Sequence, residues 1–213
     1  CFFTFFYVFH LWFIFRFIVA LHIQKIKPTQ SLLDWVLVPY RCMPWDLDAN
    51  IHMNNVKYLK YLERGRVENM IHTPWLQDMH GRGYKALIAN TEISYVKEIR
   101  PFQRFKVSTR ISSWDEKYIY MEQVMSHRQT VFTAAVIRMA MVNSKTKRRE
   151  SPMLAFAEIA PGLQPPPLLD SARHLNLLVQ AQRGETPVVT GDHGEASQTV
   201  ARTQADNNQE RIQ

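Results

Sequence analysis

Trp45-Asp46-Leu47-Asp48-Ala49-Asn50-Ile51-His52-Met53-Asn54-Asn55-Val56-Lys57-Tyr58 is the stretch on which the reading of this chain turns. Asp46, Asp48, Asn50 and His52 recur at every second position, the spacing that sends side chains to one side of an extended segment. From Asn54 the period changes from two to about three and a half, and Asn is a preferred N-cap residue. The stretch therefore lines up a carboxylate, an amide and an imidazole and then delivers a helix N-terminus, whose positive end suits a developing anion. Hydrolysis of a carbonyl compound is the chemistry to which this combination points.

Working outward, Trp35–Cys42 reads as a strand, with Pro39 marking an edge position or a bulge. On the other side, Val56, Leu59, Leu62 or Glu63, Arg66–Val67 and Met70 trace a helix face that Tyr58, Tyr61 and Ile71 widen. The helix runs to about His72 and Pro74 closes it. Gly65 within it is either a point of close backbone approach or a tolerated defect. Four strand-like runs follow: Lys85–Glu98, Phe105–Ile111, Tyr118–Ser126 and Thr130–Asn143. Short connections between them imply an antiparallel meander. Strand, long helix and four strands make an α+β domain, most economically a curved antiparallel sheet wrapped around one central helix, the hotdog arrangement. Ser151–Ile159 reads as a short helix and Leu168–Gln182 as a marginal one.

The 213 residues suit one domain plus appendages, and 46% hydrophobic with 12% aromatic residues is enough for a core. That apolar content is uneven. Residues 1–23 are almost wholly apolar, and twenty or so residues at ~1.5 Å rise would span a ~30 Å hydrocarbon layer. Arg16 weighs against insertion, and the basic region and Ala-x-Ala site of a signal peptide are missing. We read 1–23 as a membrane anchor, 24–34 as a linker, 35–160 as the folded domain and 161–213 as a polar, Pro-rich, largely disordered tail. Lys25, Lys27 and Arg41 would place the domain on the cytosolic side of a membrane; without an anchor the expectation is cytoplasmic.

The formal charge of +7 is scattered except for Lys145–Arg149, and no nucleic-acid motif accompanies it. That cluster reads first as a solvated turn, second as a contact for an anionic ligand, and only third as a nucleic-acid contact. We expect no nucleic-acid partner. Two cysteines, Cys1 and Cys42, give no disulfide framework. No spacing suits a metal, and no cofactor is expected.

Rival readings of the opening stretch fail on spacing. Asp46-x-Asp48-x-Asn50 begins like a calcium loop, but Ile51 stands where Gly is required and Lys57 where the final Glu belongs. Hotdog hydratases also use Asp and His, yet place a proline after the asparagine and the histidine three residues beyond it. A nucleophile elbow is absent.

Asp46 to Tyr58 closely resembles the signature of the 4-hydroxybenzoyl-CoA-thioesterase-like hotdog family, and within it the acyl-ACP thioesterases and the thioesterase superfamily member 6 group. The resemblance continues through Ile93-Ser94-Tyr95-Val96, Ile99-Arg100-Pro101-Phe102-Gln103-Arg104-Phe105 and Ser113-Trp114-Asp115-Glu116-Lys117. It covers about Trp35 to Ile159, and the apolar leader is also similar to the member 6 group. It implies a thioester hydrolase acting on a fatty acyl-CoA or acyl-ACP and working as a homodimer, without a cofactor. The family's catalytic aspartate falls on Asp48, and the asparagine and histidine of plant acyl-ACP thioesterases on Asn50 and His52. Asn54, Asn55 and Tyr58 fall where the helix start meets the substrate carbonyl. Asp48 would act as general base or nucleophile. His52 stands evenly between catalysis and hydrogen-bonded structure, and Asp46 and Asn54 read as strand-end and capping groups. Many members have Gly where this chain has Ile51, which could reshape the backbone approach to substrate. Plant enzymes draw a further residue from a second repeat, so here it would come from another subunit. A catalytically silent hotdog protein that binds acyl chains or lipid at a membrane is the second reading.

Overall fold

The computed structural model describes residues 30–75, 79 and 81–182, and the proposed anchor at 1–23 and the tail beyond 182 lie outside the described residues. The chain forms β1 (Val36–Arg41), a 3-10 turn (Pro44–Asp46), α1 (Asn55–His72), β2 (Tyr84–Tyr95), β3 (Arg104–Trp114), β4 (Ile119–His127) and β5 (Thr130–Asn143). A two-residue β6 (Arg149–Glu150) and the helices α2 (Pro152–Ile159) and α3 (Asp170–Gln182) follow. The strands make one antiparallel sheet in the order β1-β3-β4-β5-β2, with β6 on β5. This is the expected α+β hotdog. Pro39 sits on an edge strand, opposite Lys106 of β3, where its missing N–H costs no ladder bond.

The expected meander holds only for β3, β4 and β5. β2 pairs with β5 and not with β3, so it lies at the far edge from β1. Chain length explains the crossing. The 18 residues of α1 span about 27 Å, more than the ~19 Å from the first to the fifth strand of a sheet. The helix carries the chain across, and residues 96–103 bring it back over one end of the sheet to start β3. That return segment borders the opening stretch.

The helix is also turned from the face read in the sequence. Tyr58, Tyr61, Leu62, Gly65 and Asn69 are buried, whereas Val56 and Leu59 are exposed. Two features permit a partly polar inward face. At Gly65 a Cβ would stand 2.6 Å from Val107 Cγ1 and 2.7 Å from Thr109 Oγ1, so glycine lets the helix backbone lie on β3. The polar groups there are also matched. Gln123 Nε2 donates to the Leu62 carbonyl and to Thr109 Oγ1, both at 2.8 Å. Arg66 Nη1 donates to Gln123 Oε1 at 2.8 Å, and Asn69 Nδ2 to the Thr109 carbonyl at 3.2 Å. Burial holds the Arg66 guanidinium below its ordinary range, despite the opposing pull of Glu63.

Candidate active site

Asp46, Asp48, Asn50 and His52 do not share one side of an extended segment. The chain reverses here: Leu47 and Met53 form an antiparallel bridge, the Asp48 N–H donates to the His52 carbonyl at 3.0 Å, and the Ile51 N–H to the Asp48 carbonyl at 3.1 Å. Ile51 has φ 58°. A type I turn followed by a left-handed residue is the usual three-residue hairpin loop, and its last position favours glycine. Local polar chemistry drives the reversal. Asp48 Oδ1 accepts the Asn50 N–H at 2.9 Å, an Asx turn that competes with extension. Period-two polarity was thus the mark of a tight loop.

The reversal sets Asp48 and His52 side by side. Asp48 Oδ2 lies 3.5 Å from His52 Nδ1, with side chains 23% and 29% exposed. That Nδ1 is also 3.2 Å from the Met53 carbonyl. Both neighbours are acceptors, so Nδ1 carries a proton and Nε2 is the ring nitrogen left to face outward. Asn50 sits exposed near the loop tip; its backbone, not its amide group, meets Asp48.

Asp46, two residues earlier, is a buried hub at 3% exposure. Its Oδ2 accepts the Met43 N–H at 2.9 Å and the Tyr61 hydroxyl at 2.7 Å. Its Oδ1 lies 3.5 Å from Lys57 Nζ, and its carbonyl accepts the Asn54 N–H at 2.8 Å. The 3-10 turn, the hairpin and the first two turns of α1 are thereby locked together. The sequence places Tyr61 only on the helix face and gives Lys57 no part in the site, since nothing in the spacing links either to Asp46. Burial, reinforced by the bond to Asp46, pushes the Tyr61 phenol well above its ordinary range. Burial, followed by the charge of Asp46, pushes the Cys42 thiol up to about 11. A thiol held neutral in this way is no nucleophile at neutral pH.

Asn54 caps α1 as expected, its Oδ1 accepting the Val56 N–H at 2.9 Å and its carbonyl the Lys57 N–H at 2.8 Å. The Asn55 N–H is the first-turn amide left without a partner among the described residues. Tyr58 is buried, and its hydroxyl accepts the Ile99 N–H at 3.0 Å. Burial is the main cause of its raised phenol pKa. The Ile99 carbonyl accepts the Met53 N–H at 2.8 Å, so the return segment clamps both hairpin and helix. Among the described residues no group of three or more His, Cys, Asp or Glu could hold a metal, and no helix is long and apolar enough to cross a membrane.

Comparison with known proteins places the chain in a family. Protein THEM6 of Xenopus laevis is 33% identical over 95 residues, 45% of this chain and 46% of that protein. A probable thioesterase of Saccharomyces cerevisiae is 34% identical over 79 residues, 37% of this chain and 34% of that protein. The chain thus spans between about a third and just under two thirds of the length of these curated relatives. Among solved structures, the YbaW probable thioesterase from Escherichia coli superposes with TM-score 0.55 at 19% identity, covering 58% of this chain and 94% of that one. That likeness is one of fold. Residues 42–174, from the buried thiol through the sheet into α3, match the thioesterase-like superfamily, and the chain belongs to that family.

Proposed function

We propose that the chain hydrolyses fatty acyl thioesters, of CoA or of acyl carrier protein, at the Asp48–His52 hairpin. The observation that carries this reading is the open carboxylate of Asp48 beside His52, on a loop that runs directly into a capped helix whose Asn55 N–H has no partner among the described residues. Water attacks the thioester carbonyl as Asp48 Oδ2 takes its proton. The oxygen gains charge and is received by the Asn55 N–H at the positive end of α1. Collapse of the tetrahedral species breaks the C–S bond, and the thiolate takes the proton back from Asp48 or from solvent. His52, with Nδ1 turned to Asp48 and Met53, presents Nε2 as the second proton carrier. Direct attack by Asp48, through an anhydride, is the variant of the same reading. Asn50 is assigned to the loop that aims Asp48, while Asn54 and Tyr58 shape the helix start against which the carbonyl would rest.

The family resemblance supports a homodimer, and the apolar stretch 1–23 followed by Lys25, Lys27 and Arg41 supports a membrane-held chain whose domain faces the cytosol. Ile51, where many members of the resembled family have Gly, keeps alive a silent protein that binds acyl chains or lipid. Thiol release from a panel of acyl-CoAs and acyl carrier proteins separates the readings. Asp48→Asn is expected to lower turnover by about 10²–10⁴-fold with binding retained. Acyl-CoA bound in a calorimeter yet never hydrolysed by the native chain would leave the silent binder standing. Equal turnover in native and Asp48→Asn chains would remove Asp48 as base.

A further inference from the structure

The sheet ends in β1 on one side and β2 on the other, and the two edges are not alike. β1 is six residues long and carries Pro39, whose missing N–H blunts it as a template. β2 is twelve residues long and holds no proline. Its charges are Lys85 and Glu92, and a bulge between Ile88 and Asn90 is its irregularity. Leu87 and Ile88, near its middle, are exposed. A long edge with apolar side chains at its centre invites another strand, and a second copy of the chain offers the same one. Like edges that join into one sheet about a two-fold axis run antiparallel. Each copy's β2 then starts where the partner's β2 ends.

The densest run of cations stands at the start of β2, not at the hairpin. Tyr84 pairs with Asn143, and the turn that follows Asn143 is tied to β2 by the Ser144 N–H, which donates to the Gly83 carbonyl at 2.8 Å. Asn143 builds this turn. Its Oδ1 accepts the Lys145 and Thr146 N–H groups at 2.9 and 3.1 Å. Its N–H donates to the Arg148 carbonyl and its carbonyl accepts the Lys147 N–H, both at 2.9 Å. Lys145, Lys147, Arg148 and Arg149 are exposed on it, and none forms an ion pair among the described residues. Arg149 rests over the Tyr118 ring at 5.0 Å, and exposed Lys85 sits opposite Val142. A fixed patch of one sign attracts an anion.

Within one copy this turn is too far from Asp48 to serve it. The twelve residues of β2 span about 37 Å at ~3.4 Å per step. Tyr95, at the end of β2, is the residue that meets the site: its ring lies 5.2 Å from that of Tyr58, whose hydroxyl holds Ile99. A thioester with its carbonyl at the Asn55 N–H is therefore out of reach of its own copy's turn. Across an antiparallel pair of β2 strands the partner's turn comes within about two strand spacings of Tyr95, ~10 Å.

We propose that two copies pair along β2 and that the Lys145–Arg149 turn of each receives the phosphates of a CoA thioester seated at the partner's Asp48–His52 hairpin. The inference rests on the thioesterase reading of that hairpin and narrows its substrate to CoA. CoA carries a pyrophosphate and a 3′-phosphate at the end remote from its sulfur, where lysine and arginine bind well. The arm of acyl carrier protein carries a lone phosphodiester close to its protein, and leaves most of the turn's charge unmatched.

The test uses the full chain. In a chain carrying Cys1→Ser, with Cys42 buried, the pair Lys85→Cys and Ser94→Cys stands about 31 Å apart within one copy. Across a two-fold centred near the middle of β2 the same positions face each other. A short bismaleimide is expected to give a covalent dimer with both cysteines and not with either alone. In a calorimeter, the triple variant Lys145→Ala, Lys147→Ala, Arg148→Ala is expected to bind CoA about ten-fold more weakly or worse. Its loss should be smaller for 3′-dephospho-CoA. Mixed dimers, one copy Asp48→Asn and the other the triple variant, are isolated by co-expression with different tags. They are expected to show about half the native turnover of dilute acyl-CoA, because one of their two sites keeps both Asp48 and a native turn. Absence of the covalent dimer overturns the β2 pairing, and unchanged CoA affinity in the triple variant overturns the phosphate contact. A mixed dimer no faster than the triple variant overturns delivery by the partner. The first two measurements need no turnover. A native chain that passes them yet releases no thiol removes the hydrolysis and leaves the phosphate contact supported.

Discussion

Replacing Ile51 tests the hairpin at its most unusual position. In extended or helical backbone, glycine is less stable than alanine by about 0.5–1 kcal/mol, because its unfolded chain is freer. At φ 58° alanine also carries the left-handed penalty of an L-residue, about 1–2 kcal/mol. Subtracting one from the other, Ile51→Gly should be more stable than Ile51→Ala by about 0–1.5 kcal/mol, near 0.8 at mid-range. Comparing these two variants with each other cancels the atoms beyond Cβ, which matter little in a residue 69% exposed. Urea denaturation followed by far-ultraviolet circular dichroism reads the difference. With a slope of about 2 kcal/mol per molar urea, the glycine variant's midpoint should lie about 0.4 M higher. An alanine variant more stable than the glycine variant by about 0.5–1 kcal/mol would mean ordinary backbone at residue 51, and would refute the loop geometry.

Three further perturbations follow from the packing and charge. Gly65→Ala drives a methyl group into Val107 and Thr109; overpacking of about 1–3 kcal/mol, less about 1 kcal/mol of helix propensity, should leave a loss of up to about 2 kcal/mol in denaturation. Asp46→Ala strands the Tyr61 hydroxyl, the Met43 N–H and Lys57, and should cost about 3–5 kcal/mol, against about 1–3 kcal/mol for Tyr61→Phe. Cys42, Tyr58 and Tyr61 all have raised folded pKa values. Above the ordinary thiol and phenol values the unfolded chain loses protons that the folded one keeps, so stability is full below pH about 9 and falls as pH rises beyond it. Denaturation at neutral pH and at pH about 10.5 checks the sign, and Tyr61→Phe should flatten the slope.

Elements set by neighbouring residues were legible in the sequence. Thr130–Asn143 appears as β5 with the bounds its alternation suggests, and Asn54 with Pro74 bracket α1 because capping and proline act within a turn or two. Properties that depend on distant partners were not. β2 lies beside β5 because a long helix carries it there, and no local pattern records that crossing. The rotation of α1 depends on Gln123 and Thr109, far along the chain, meeting the helix's polar side. At the site, Asp48 and His52 do come together, but across a loop. Alternating polar residues fit a strand or an Asx hairpin equally well until the Asn50 backbone N–H is seen on the Asp48 carboxylate.

The same stretch holds two aspartates two residues apart, and the fold separates their capacities. Every oxygen of the Asp46 carboxylate faces a donor: Met43 N–H and Tyr61 O–H on one, the Lys57 ammonium on the other. At 3% exposure it is withdrawn from solvent, and its donors hold turn and helix together. Asp48 gives one oxygen to the Asn50 backbone N–H that shapes its own loop, while the other, among the described residues, faces an imidazole 3.5 Å away, on a side chain 23% exposed. A general base needs a lone pair that solvent or substrate can reach and a neighbour able to share or relay the proton. Only Asp48 has both, and it has them because Asp46 gives up its own lone pairs to hold the helix N-terminus beside the hairpin.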